Sequence, residues 1–104
     1  MARQTPLAVR DIADRVAPLL EQVLSQRCMT YRLYASWLVK KVGAAQLQAR
    51  AVAEVAAAEA KRRGFHVVLV YDRREHRYSL VITRSKEYAE ELARWEDGCD
   101  AWLL

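Results

Sequence analysis

The chain changes its hydrophobic period at one point, Gly64, and that change limits the possible folds more than any other feature. Before it, nine of the seventeen residues from Ala44 to Ala60 are Ala, the best helix former. The run closes on Lys61-Arg62-Arg63-Gly64, with cations on a last helical turn and then a residue suited to a left-handed cap. After it the period is two: Phe65, Val67, Leu69 and Tyr71 alternate with His66, Val68 and Val70. A charged stretch, Asp72-Arg73-Arg74-Glu75, separates this run from a second one, Arg77–Thr83, and the pair reads as a β-hairpin. Phe65, Val67, Leu69, Tyr71, Tyr78, Leu80 and Ile82 share one face, with Ser79 and Thr83 on the other. Both periods in one chain imply an α+β fold.

The remaining segments read as helices, so the expected fold is α+β and mostly helical: three helices, a β-hairpin and a C-terminal helix. Thr5 is placed to cap the first helix, with Pro6 at its first position. Ile12, Val16, Leu19, Leu20, Val23 and Leu24 form its stripe, and Pro18 should kink or split it. Thr30 caps a second helix, Tyr31–Val42, ending at Gly43, with Trp37 as a central core residue. The third helix runs from Ala45 to Arg63, its inward stripe being Leu47, Ala51, Val55 and Ala58. Gln46, Arg50, Ala53, Ala57 and Lys61 lie on a more polar face. Ser85 caps the last helix, Lys86–Asp97, whose buried stripe is Tyr88, Leu92 and Trp95. Gly98 ends it, and Cys99–Leu104 is a short tail. At 104 residues this makes one domain, 1–104, divided into an N-terminal helix (1–27), a middle block (30–84) and a C-terminal helix and tail (85–104).

Charge is distributed unevenly along this order. Residues 27–86 carry thirteen basic and four acidic side chains, a net of +9, whereas residues 87–104 have a net of −5. A basic middle block suits a polyanion, and nucleic acid is the commonest such partner. Catalytic signatures do not assemble. His66 and His76 are the only histidines and fall at a strand start and in a turn; the three glycines, 43, 64 and 98, are isolated. Cys28 and Cys99 make neither a disulfide framework nor a zinc site, and Glu90, Glu91, Glu96, Asp97 and Asp100 match no ligand spacing. No enzyme activity, cofactor or metal is expected. No apolar run reaches the ~18 residues of a membrane span, and the first residues lack a signal-peptide core, so no membrane partner and a cytoplasmic location are expected.

Two stretches carry a family resemblance. One is Leu38-Val39-Lys40-Lys41-Val42-Gly43-Ala44, between the second and third helices. The other is Ala60-Lys61-Arg62-Arg63-Gly64-Phe65-His66-Val67, followed by the hairpin Tyr71–Thr83. Over about residues 28–84 the chain resembles the winged helix-turn-helix family of transcriptional regulators, including its MarR-like branch. Members often end the recognition helix in a charged-Gly-apolar sequence and carry Asp and Arg in the wing. The resemblance implies that Gln46, Gln48 and Arg50 of the third helix meet base edges or nearby phosphates in the major groove. It implies that Arg73, Arg74 and Arg77 form a wing touching double-stranded DNA. Arg32, Lys40 and Lys41 would position the backbone.

Such regulators usually bind as symmetric dimers through terminal helices. The expected homodimer or partner interface is therefore Ile12, Val16, Leu92, Trp95 and Trp102. The acidic, Trp-bearing C-terminus also fits a different function, a small protein-binding inhibitor or adaptor of phage or plasmid type, whose partner is another protein and not DNA.

Overall fold

A computed structural model describes residues 6–94 and 99–104. In chain order the elements are α1 (Val9–Leu24), β1 (Thr30–Tyr34), α2 (Ala35–Val42), a single 3-10 turn (Gln46–Gln48), α3 (Ala49–Arg62), β2 (His66–Asp72), β3 (Arg77–Thr83), α4 (Lys86–Arg94) and β4 (Cys99–Leu103). The four strands form one antiparallel sheet in the order β1-β3-β2-β4. The fold is α+β, with about half of the chain helical. The mostly helical expectation gives way because two segments outside the hairpin are also strands. No helix among the described residues is long and apolar enough to cross a membrane.

The hairpin forms as its alternation requires, with Val67 opposite Ile82, Leu69 opposite Leu80 and Tyr71 opposite Tyr78. Its apolar face meets α1, α2 and α3 in the main core, where Ile12, Val16, Leu20, Leu38, Val52, Val67, Leu69, Leu80 and Ile82 are fully or almost fully buried. The other face is not open. Val68, Val70 and Val81 pack under Ala89 of α4, with Leu92, Cys99 and Ala101 at the rim. The near-continuous apolar run of β2 reflects this burial on both sides. Thr83, also buried on that face, hydrogen-bonds Thr30 Oγ1 at 2.9 Å and accepts from the Ser85 N–H at 3.1 Å.

Several expectations are corrected. Residues 30–34 are strand, not the first turn of a helix: Tyr31 and Leu33 point into the core and alternate with exposed Arg32 and Tyr34. Thr30 pairs with Thr83 across the sheet instead of capping α2. Pro18 neither splits nor ends α1, because it lies on the solvent face, where water can satisfy the carbonyl it leaves without a donor. Pro6 precedes the helix, in an extended segment; Thr5 lies outside the described residues. The buried stripe of α3 is Val52, Ala53, Ala56, Ala57 and Ala60, so Leu47 and Ala58 face solvent and Ala53 and Ala57 face the core. An Ala-rich helix has too little contrast between its faces to fix the phase of its stripe. Tyr88 is exposed and Ala89 takes its place against the sheet. Trp37 is half-buried at the core's edge, not central. The tail is β4, paired with β2 through Leu69 opposite Trp102 and Val70 opposite Ala101.

Gly43 closes α2 in the left-handed conformation (φ 73°), and the Arg15 guanidinium donates to the Val42 carbonyl at 2.8 Å, a cation on the negative end of that helix. A Cβ at residue 43 would stand 3.1 Å from that guanidinium.

Candidate nucleic-acid interface

The turn from α2 into α3 carries no Ser or Thr cap. Gln48 supplies one from inside the 3-10 turn that leads into α3. Its Oε1 accepts from the Ala45 N–H at 3.2 Å and from the Leu7 N–H at 3.0 Å, while its Nε2 donates to the Leu7 carbonyl at 2.7 Å. The side chain therefore ties the segment before α1 to the start of α3, and both ends of its amide are engaged. This removes Gln48 from the residues that present a donor and acceptor to a base. Gln48→Ala should lower stability by about 1–3 kcal/mol, the cost of leaving backbone groups without partners. Thermal or urea unfolding will measure it, and an unchanged midpoint would contradict this role.

With Gln48 holding the turn, Gln46 and Leu47 are left at the tip. Gln46 is exposed and Leu47 fully so. Beside them runs a groove of about 350 Å³ lined by Tyr34, Ser36, Trp37, Lys40, Gln46 and Arg77. A second depression of about 270 Å³ shares Ser36, Gln46 and Arg77 and extends to His76 and Tyr78. Lys40 from α2, Gln46 from the start of the third helical segment and Arg77 from the hairpin thus converge on one cleft. The Arg77 guanidinium lies 4.3 Å from the centre of the Tyr34 ring and pairs with Glu75.

Arg50 lies one turn further along. Its Nε meets Glu54 Oε1 at 3.2 Å, and its guanidinium lies over the rings of Tyr78 and Trp102 at 5.8 and 6.0 Å. The hydrogen bond to Glu54, then Tyr78, raise its pKa above an already high value, so it stays cationic. In the hairpin turn, Asp72 Oδ1 accepts from the backbone N–H of Arg74 at 2.9 Å and of Glu75 at 3.2 Å. Those bonds, that of Arg74 first, hold its carboxyl below the usual range. His76 takes the positive φ (53°) that closes the turn, with its Nδ1 3.1 Å from the Tyr71 hydroxyl. The side chain of Arg74 is exposed; Arg73 reaches Asp100 of β4 at 3.7 Å.

Other candidates lie elsewhere. Lys41 sits 5.8 Å over Trp37 and lines a different groove, of about 300 Å³, with Leu19, Gln22, Val23 and Gln26 of the α1 region. Arg32 lies on the sheet face opposite the main core, since its neighbours Tyr31 and Leu33 face that core. Ile12 and Val16 are fully buried in the main core, so neither is an interface residue, whereas Leu92 is half-buried at the rim of the second core. One apolar helical stripe reads the same whether it meets its own core or a partner. Trp95 lies outside the described residues, and Trp102 remains 42% exposed. Sequence reasoning missed Tyr34, Ser36, Trp37 and Leu47. The first three become visible only once residues 30–34 are read as a strand that delivers the chain to the groove. Comparison with protein-family models, curated proteins and solved structures finds no match to this chain.

Proposed function

We propose that the protein is a small DNA-binding regulator that reads duplex DNA through a winged helix-turn-helix made of α2, α3 and the β2–β3 hairpin. The observation that carries this reading is the convergence of Lys40, Gln46 and Arg77 on one groove where the start of the third helical segment meets the hairpin. The N-terminal end of such a helix suits the major groove, with flanking cations on phosphates. Gln46 has the amide that pairs in bidentate fashion with adenine, and exposed Leu47 offers an apolar contact to a thymine methyl. Arg74 and Arg77 are the wing's phosphate contacts in this reading.

Selection of preferred sites from a random duplex pool tests it. Gln46→Ala should weaken discrimination at one base pair by about 1–3 kcal/mol while leaving binding to unselected duplex nearly unchanged. A site preference that survives both Gln46→Ala and Leu47→Ala would contradict this assignment.

The regulator reading also asks for a symmetric pair. β4 is bonded to β2 on one side and ends the sheet, with Leu103 and Leu104 exposed. Such an edge is a template for pairing with a second copy. Light scattering at micromolar concentration is expected to give close to twice 12.0 kDa. A mass of one chain would remove the dimer.

A further inference from the structure

The strand alternation places Tyr78 of β3, Tyr71 of β2 and Trp102 of β4 on the same side of the sheet as the main core, beyond the start of α3. The Tyr71 and Tyr78 ring centres are 4.7 Å apart, and Trp102 lies one pair along, opposite Leu69. Arg50 stands over Tyr78 and Trp102 at 5.8 and 6.0 Å, near the roughly 6 Å limit of a cation–π contact. Trp102 keeps 42% of its surface in water, although its strand partners on that face are buried or half-buried. Arg73 stands at the rim. Its contact with Asp100, like that of Arg50 with Glu54, is an exposed ion pair. Exposed pairs of this kind are individually weak, so a phosphate can take the place of the carboxylate.

Two neighbouring tyrosine rings with Trp102 on the same face of the sheet, bordered by arginines and by Asp100 across from Tyr71, match the chemistry of a nucleobase stacked on a ring with its phosphates held alongside. We infer that Tyr71, Tyr78 and Trp102 form a stacking platform for unpaired bases, and that the protein binds single-stranded nucleic acid there. This goes beyond the duplex reading and does not depend on it: Tyr78 borders the second depression of the groove, but Tyr71 and Trp102 line neither depression. Stacking on such a surface tolerates any base, so no sequence preference is required.

The test compares two fluorescent oligomers with equal numbers of phosphates, an oligothymidine of about twelve nucleotides and its fully abasic counterpart, by anisotropy. Wild-type protein should bind the oligothymidine at least about tenfold more tightly, because only that strand has bases to stack. Trp102→Leu should abolish most of this preference, and Trp102→Phe, which keeps an aromatic face, should retain it. Thermal unfolding checks that the variants fold. The wild-type comparison decides the matter even where a variant does not. Equal affinity of wild type for the two oligomers, or a folded Trp102→Leu variant that keeps the preference, would overturn the platform. Duplex binding by wild-type protein, measured in parallel, separates the two readings: no base preference in wild type with duplex binding intact removes the platform alone, and a base preference without duplex binding removes the groove alone.

Discussion

Leu80→Ala is expected to cost about 2–5 kcal/mol, a large share of the roughly 5–15 kcal/mol that holds a domain of this size together. Leu80 is fully buried on the inner strand β3, flanked by Leu33 of β1 and Leu69 of β2 and covered by the three-helix layer. Truncation there removes apolar contacts and leaves a cavity that paired strands on both sides cannot collapse to fill. Urea unfolding should show a much lower midpoint with an unchanged slope, the sign of lost stability without a change in the surface exposed on unfolding. Trp37→Ala should cost less, despite the larger side chain, because Trp37 is half-buried and forms a groove wall. A midpoint shift for Leu80→Ala smaller than that for Trp37→Ala would contradict this account of the core.

The hairpin was legible because fourteen strand residues around a charged turn show the alternation twice, and Asp72 and His76 supply the turn chemistry. The α1 stripe of Ile12, Val16, Leu20 and Leu24 was legible for the same reason, several turns of one period. Short strands were not. Thr30–Tyr34 and Cys99–Leu103 have five residues each, and their pairing depends on partners far away in the chain. Beside a helical pattern, Tyr31-Arg32-Leu33-Tyr34 reads equally well as a first helical turn. The phase of α3 was hidden by its alanines, and that error concealed Leu47, the most exposed large apolar residue of the candidate site. Of the proposed DNA contacts, the winged-helix resemblance and residue type named Lys40, Gln46, Arg74 and Arg77. They could not show that Gln48 spends its amide on Leu7 and Ala45, or that Lys41 lines a different groove and Arg32 lines neither depression.

The groove's role in duplex binding is tested most directly by a salt titration, because the electrostatic term needs no knowledge of the preferred site. Each phosphate neutralised by Lys or Arg releases counterions and contributes about −0.9 to the slope of log affinity against log salt. With roughly three to five phosphate contacts per protomer, the wild-type slope should lie near −3 to −5 for each protomer engaged. Lys40, Arg74 and Arg77 are exposed, and the Arg77–Glu75 pair is a surface contact worth only about 0–1 kcal/mol, so replacing all three with Ala should leave the fold intact. The measurement is duplex affinity at several salt concentrations for wild type and for Lys40→Ala/Arg74→Ala/Arg77→Ala, with thermal unfolding as the control. The expected result is a slope flatter by about 2–3 for each protomer engaged, with affinity at low salt falling accordingly. Absence of wild-type binding at about 50 mM salt, or a folded triple variant that keeps the full wild-type slope, would contradict it.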